Sequence, residues 1–213
     1  MNLMIRAGLI SCLLLSGQAA SAAALPQGSS DTKVKPSFDC STAEHAIEEL
    51  VCEDPELADL DVQLASVFQS ALKKVEAMPN TAPEIRHMKA YQLRWSRERN
   101  ACAKSEDVKA CTLDSYHRRI ADLQARFLLV KTKSPAIYTC RGNPKNQLIV
   151  TYVESAPPSV RLDHAGKTAV AFQDDETDEK RFVGPKGISF EVEGDMALIN
   201  WPKGNEFDCI LRK

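Results

Sequence analysis

Two hydrophobic periods divide the chain. From Cys40 to Val130 apolar residues recur every three or four positions, the spacing of helix faces. Leu57, Leu60, Leu64, Val67, Ala71 and Val75 form one such stripe. Asp54-Pro55-Glu56 predicts its start, with an aspartate N-cap and a proline where a missing N–H costs nothing. Upstream, Ser41-Thr42-Ala43-Glu44 fits a capping box and predicts a short helix to about Val51. Met78-Pro79-Asn80 ends the long helix. Thr81-Ala82-Pro83-Glu84 is a second capping box, opening a helix lined by Ile85, Met88, Tyr91 or Gln92, and Trp95. A third long helix carries Leu113, Tyr116, Ile120, Leu123 and Phe127. Short connections make consecutive helices antiparallel neighbours.

Lys131-Thr132-Lys133-Ser134-Pro135 reads as a linker, and beyond it the period falls to two or the runs become β-branched. Strands are predicted at Ile137 to Cys140, Gln147 to Val153, Val160 to Asp163, Thr168 to Phe172, Arg181 to Val183, Ile188 to Val192, Met196 to Trp201 and Phe207 to Leu211. Turn signals such as Ala165-Gly166, Gly184-Pro185-Lys186-Gly187 and Glu193-Gly194-Asp195 separate them. Many short strands with close turns predict an antiparallel sheet closed into a barrel. The fold class is therefore α+β with two domains. A disulfide-stapled antiparallel helical bundle (36–130) is followed by a small antiparallel β-barrel (136–213).

The N-terminus follows another logic. Arg6, an apolar run from Ala7 to Leu15, and the small residues Ala19 to Ala24 form the pattern of a secretory signal peptide (1–24), with cleavage expected after Ala22 or Ala24. The run is too short to span a bilayer, and no other stretch is long enough for a transmembrane segment. A polar lead-in, 25–35, follows. Leu9-Ile10-Ser11-Cys12 also has the form of a lipoprotein signal, so an outer-membrane lipoprotein anchored at Cys12 competes with a cleaved, periplasmic protein. Cleavage removes Cys12 from the seven cysteines and leaves an even set for an oxidising compartment. If the Asp54 and Thr81 helices run antiparallel, Cys102 returns near Cys52 and Cys111 lies near Cys40. The expected bridges are thus Cys52–Cys102 and Cys40–Cys111, with Cys140–Cys209 closing the barrel.

Composition narrows the function. A net charge of -2 argues against nucleic acid as a partner. His45, His87, His117 and His164 sit in unrelated segments, and no nucleophile elbow, phosphate loop or metal-binding pair is present, so no catalytic residue, metal or cofactor is expected. Acid is concentrated in two places. No lysine or arginine occurs between Pro36 and Leu72, where Asp39, Glu44, Glu48, Glu49, Glu53, Asp54, Glu56, Asp59 and Asp61 fall. That stretch either neutralises the basic helix of Arg86, Lys89, Arg94, Arg97 and Arg99 or forms a patch for a cationic partner. The second is Asp174, Asp175, Glu176, Asp178 and Glu179 between two strands, followed by Lys180 and Arg181. Such a loop is either simply solvated or steers a positive partner at long range.

Four segments of the helical half resemble the LprI-like N-terminal domain family: Pro36 to Cys40, Cys52 to Asp61, Trp95 to Cys102, and Tyr116 to Leu123. That family is linked to inhibition of lysozyme by bacterial envelope proteins. The strand half is similar to the MliC/PliC family of c-type lysozyme inhibitors in Tyr138-Thr139-Cys140, Leu148 to Tyr152, Arg181-Phe182, Gly194 to Leu198 and Cys209. Those inhibitors offer a Ser-Gly-x-Arg-Tyr loop and a nearby lysine to the lysozyme cleft. Here the loop aligns with Asp178-Glu179-Lys180-Arg181-Phe182, and the lysine position falls at Glu193. The resemblance implies a non-enzymatic inhibitor of c-type lysozyme. Asp175, Glu176, Asp178, Glu179, Lys180, Arg181 and Glu193 are its expected contacts, with Lys180 as the cation. The alternative is a disulfide-stapled periplasmic adaptor that binds another envelope protein or a cell-wall component through the helical acidic patch.

Overall fold

The computed structural model describes residues 34–79, 81–174, 180–202 and 205–213. The signal peptide, Cys12 and the loop residues Asp175, Glu176, Asp178 and Glu179 lie outside them. Four α-helices come first: α1 Ala46–Glu53, α2 Pro55–Glu76, α3 Thr81–Asn100 and α4 Val108–Phe127. Eight strands follow: β1 Ala136–Cys140, β2 Gln147–Val153, β3 Ser159–His164, β4 Lys167–Gln173, β5 Arg181–Val183, β6 Ser189–Glu193, β7 Met196–Trp201 and β8 Asn205–Leu211.

The start of α2 follows its predicted cap, and that of α1 does not. The Asp54 carboxylate accepts from the N–H groups of Glu56 and Leu57 and starts α2 at Pro55, as expected. Ser41 starts no α-helix. It lies in a 3-10 turn, Cys40–Thr42, capped by Asp39, and α1 begins at Ala46. The reach-back bond comes one turn later, where the Glu48 carboxylate accepts from the Glu44 N–H at 3.1 Å.

The strand half is a closed antiparallel barrel in sequence order, sealed by β1 against β8. Cys140 pairs with Cys209 in register across that seam, and the expected disulfide forms there. Leu148, Val150, Val160, Leu162, Phe190 and Ile199 are fully buried inside. Tyr138, Tyr152 and Phe182 meet Phe190 edge-on or tilted, with centroids 6.2–6.4 Å apart, so side chains fill the interior.

The other two bridges differ from expectation. Cys40 joins Cys52 and Cys102 joins Cys111, at sequence separations of 12 and 9. The antiparallel geometry was sound, but local folding decides the partners. The 3-10 turn before α1 folds Cys40 back toward the end of that short helix. A second 3-10 turn, Ala101–Lys104, sets Cys102 against the first turn of α4. Short loops also close at lower entropic cost than the long loops that were expected.

The core of the helical half contains charge. Asp61, Arg99 and Tyr116 are all buried. The Tyr116 hydroxyl donates to Asp61 at 2.9 Å and accepts from Arg99 at 2.8 Å. The Ser37 N–H and hydroxyl both donate to the second Asp61 oxygen, at 2.7 and 2.6 Å. Trp95 stands edge-on to Tyr116 at 5.2 Å, and the Arg99 guanidinium lies 5.4 Å over Trp95 and 3.6 Å from Glu48. Burial pushes the Tyr116 hydroxyl far above its usual pKa, so it remains a donor.

Helix and barrel are packed against each other. Ala121 and Ala125, both fully buried, lie one turn apart on α4 against Val170 and Phe172 of β4 and Val153 of β2. Arg161 on β3 donates to the Arg126 carbonyl at 2.7 Å, and Arg126 donates to the Thr168 carbonyl at 3.3 Å. The segment expected as a linker runs along the end of β2. Thr132 bridges Val153, and the Lys133 N–H donates to Tyr152 at 3.0 Å.

Proteolysis without reductant should release Cys40–Cys52 and Cys102–Cys111 as linked peptides, identified by mass. Replacing both cysteines of Cys140–Cys209 by serine, which opens a separation of 69, should cost about 4 kcal/mol in urea unfolding; the same change at Cys102–Cys111 should cost about 2.5 kcal/mol. Asp61→Ala leaves the buried Tyr116 hydroxyl and both Ser37 donors without their shared acceptor, removes the carboxylate next to the Tyr116–Arg99 pair, and should cost on the order of 3 kcal/mol in the same measurement.

Candidate functional site

In an up-and-down barrel alternate turns share an end. The β2–β3, β4–β5 and β6–β7 connections therefore form one rim, together with the C-terminal residues after β8. The three expected contact residues that are described, Lys180, Arg181 and Glu193, fall on or next to it. Arg181 opens β5 opposite Glu191. The Asp174 N–H donates to the Arg181 carbonyl at 3.0 Å, which fixes the base of the loop from both sides. Lys180 is exposed, and its carbonyl accepts from the Val192 N–H at 3.2 Å, so it lies across from the residue before Glu193. Lys180 and Glu193, separated in sequence, thus come to the same end of the barrel.

Arg181 has a different role from Lys180. Its guanidinium lies 3.4 Å from Asp174 and 4.0 Å from Glu191, so two acids on the rim already balance its charge. Its Nε is shielded from solvent and has no aligned hydrogen-bond acceptor among the described residues. Phe182 faces inward and is buried in the barrel core. The Arg181-Phe182 step therefore holds Arg181 between carboxylates and anchors β5 through Phe182.

The rim also contains residues that the sequence reading did not single out. A pocket of about 490 Å³ lies beside the loop, lined by Lys133, Tyr152, Glu154, Ser155, Gln173 and Phe182. The Lys133 ammonium sits 5.8 Å over the Tyr152 ring. Asp195 in the β6–β7 turn pairs with Lys213 at 2.6 Å. Turn parity alone places these segments together, since every second turn of an antiparallel barrel points the same way.

Much of the other acidic stretch is already used inside the helical half. Asp39 and Asp54 are caps, Asp61 is buried, Glu48 faces Arg99, and Lys109 bridges Asp54 at 2.7 Å and Glu56 at 3.1 Å. The hydrogen bond from Lys109 holds the Asp54 carboxyl below its usual range. Glu44, Glu49, Glu53 and Asp59 remain exposed. Of the basic residues expected to neutralise the stretch, Arg99 does so, while Arg94 pairs with Glu98 on its own helix.

The chain is similar to lipoprotein LprI of Mycobacterium tuberculosis and of Mycobacterium bovis. It is 26% identical to each over 191 residues, 89% of this chain and 91% of the relative. That likeness reaches well past the helical half. The relative's name is that of a lipoprotein and contains no enzymatic activity. No family model matches the chain, and no solved structure matches it. A lipoprotein relative and three disulfides mark an envelope or secreted protein. Among the described residues no helix is long and apolar enough to cross a membrane.

Burial, with a smaller contribution from Tyr138, pushes the Tyr152 hydroxyl up to about 12 from 10.0. The fold favours the neutral phenol, so this stability is complete below pH 10 and is lost as pH rises toward 12. The urea midpoint should fall across that window. Tyr152→Phe should flatten part of the fall, the remainder belonging to Tyr116 and Tyr138, whose values are also raised by burial.

Proposed function

We propose that this is a bacterial envelope protein that binds c-type lysozyme and occludes its cleft with the barrel rim. The observation that carries the reading is that Lys180 and Glu193, at positions aligned with the contact loop and lysine of known inhibitors, come to the same barrel rim. The resemblance of both halves to families tied to lysozyme inhibition supports it. Lysozyme cleaves a glycosidic bond between two carboxyl groups, one of them held protonated. An ammonium group seated between them competes with substrate for both. The acids that the sequence concentrates in the β4–β5 connection, Asp174, Asp175, Glu176, Asp178 and Glu179, supply the field that draws in a basic partner and raise the association rate.

Export delivers the protein to the periplasm through a cleaved signal peptide, and the mature protein keeps six cysteines. The lipoprotein relative supports the competing route through Cys12, which the mass of the mature N-terminus distinguishes.

Because α4 packs on β4, point substitutions test the rim more cleanly than truncation, which would expose that interface. The mature protein should slow lysozyme lysis of peptidoglycan. Lys180→Glu should weaken inhibition by about tenfold or more, the scale of one charge-assisted contact. Glu193→Lys, which restores the inhibitors' lysine, should strengthen it. Undiminished lysis at large excess of the protein would overturn the reading, and unchanged inhibition by Lys180→Glu would move the contact off this rim.

A further inference from the structure

The largest cavity described lies away from the rim. A cleft of about 720 Å³ runs between α3 and α4 on one side and the barrel on the other. Clefts between two packed units are where small-molecule sites most often form. Half-buried Trp95 lines it, and its helical wall carries arginines placed over aromatic rings. The Arg94 and Arg119 guanidiniums lie 4.6 and 4.8 Å over Tyr91, and that of Arg118 lies 5.5 Å over Phe172. Each has a carboxylate beside it. Arg94 pairs with Glu98 at 3.3 Å, Arg118 meets both Asp114 oxygens at 2.8 Å, and Arg119 pairs with Asp122 at 2.9 Å.

This pattern restricts the ligand. Ion-paired guanidiniums held over aromatic rings are restrained, so their donors and the adjacent carboxylate acceptors alternate along the helical wall with less entropy left to lose. Their charges cancel in pairs, which does not suit a polyanion. A hydroxyl-rich ring compound suits alternating donors and acceptors beside an indole ring.

One cation in the cleft is unbalanced. Lys186 is exposed on the mouth and forms no ion pair with the described residues. It also sits at φ 63°, a left-handed conformation uncommon for a lysine. The preceding Gly184 holds this turn against β4, where a Cβ would meet the Val170 carbonyl oxygen at 2.5 Å. A second pocket of about 340 Å³ shares Tyr91, Arg119 and Lys186, so the groove continues beyond one ring.

We propose that this cleft binds an oligosaccharide bearing a carboxylate, with the sugar rings between the arginine-bearing helical wall and the barrel and the carboxylate on Lys186. The proposal stands apart from lysozyme inhibition, since Lys180 and Lys186 lie beyond opposite ends of β5. The probes are the disaccharide of N-acetylglucosamine and N-acetylmuramic acid, and chitobiose, which has the same type of ring without the carboxylate. Both are titrated into the full mature protein without lysozyme, by calorimetry and by Trp95 fluorescence. The acidic disaccharide should bind saturably and about tenfold more tightly than chitobiose. Lys186→Gly, which eases the left-handed backbone and so preserves the fold, should remove that advantage and leave chitobiose binding unchanged. Arg118→Ala should weaken both. No saturable binding of either sugar, or an equal effect of Lys186→Gly on both, would overturn the proposal. Binding of a glutamate-rich peptide at the cleft with neither sugar bound would also overturn it and assign the cleft to a protein partner.

Discussion

Helix α4 is buried on two sides at once, and both halves of the protein depend on it. Toward α2 and α3 it presents Tyr116, Ile120 and Leu123, which belong to the helical core. Toward the barrel it presents Ala121 and Ala125, small enough for the helix backbone to approach β4 closely. β4 is correspondingly buried on both faces from Ala169 to Phe172, with Ala169 and Ala171 in the barrel and Val170 and Phe172 under the helix. A helix placed this way cannot move without opening one core or the other. The ion pairs at its sides, Arg119–Asp122–Arg126 and Arg161–Asp163, satisfy the polar groups that the docking removes from water.

The four segments that carry the LprI-like resemblance acquire a physical meaning from the structure. Ser37, Asp61, Trp95, Arg99 and Tyr116 come one or two from each segment and converge on one buried network. Asp61 accepts from Ser37 and Tyr116, Tyr116 accepts from Arg99, and Trp95 packs against both Tyr116 and Arg99. A buried network of this kind is costly when half satisfied and specifies a unique packing when complete. Ser37, Asp61, Arg99 and Tyr116 thereby hold the fold together, and Trp95 joins that network to the cleft that it lines. The resemblance in the helical half therefore says first how this half is built.

How much of this the chain itself disclosed differs with range in sequence. All eight strands stand within a few residues of their predicted bounds, because alternation and turn residues are local and the barrel follows from their number. Cys140–Cys209 was readable for the same reason: the first and last strands of a closed sheet must meet. The helical bridges were not, because they depend on two 3-10 turns with no periodic signature. The docking of α4 was hidden differently. Ala121 and Ala125 look neutral in a helix, and 131–135 has the composition of a linker although Thr132 and Lys133 pair with β2. Of the rim, Lys180 and Glu193 were found by resemblance, whereas Tyr152, Lys133 and Asp195 required the parity of barrel turns.

The geometry of both candidate surfaces rests on β5, the shortest strand of the barrel. It shares only two register pairs with β4, Phe172 with Val183 and Gln173 with Phe182. So short a ladder fixes little by itself. The strand is held by Phe182, buried among Tyr152 and Phe190, and by the Gly184 turn lying against the Val170 carbonyl. Lys180 precedes this anchored step and Lys186 follows it. Val170 and Phe172 are the residues on which α4 sits, so the helix braces the same piece of sheet that positions both lysines. A side chain lost from the α4–β4 contact would thus disturb the rim and the cleft together, while a charge changed at either lysine would leave the other surface intact. That asymmetry separates structural from recognition effects at these sites.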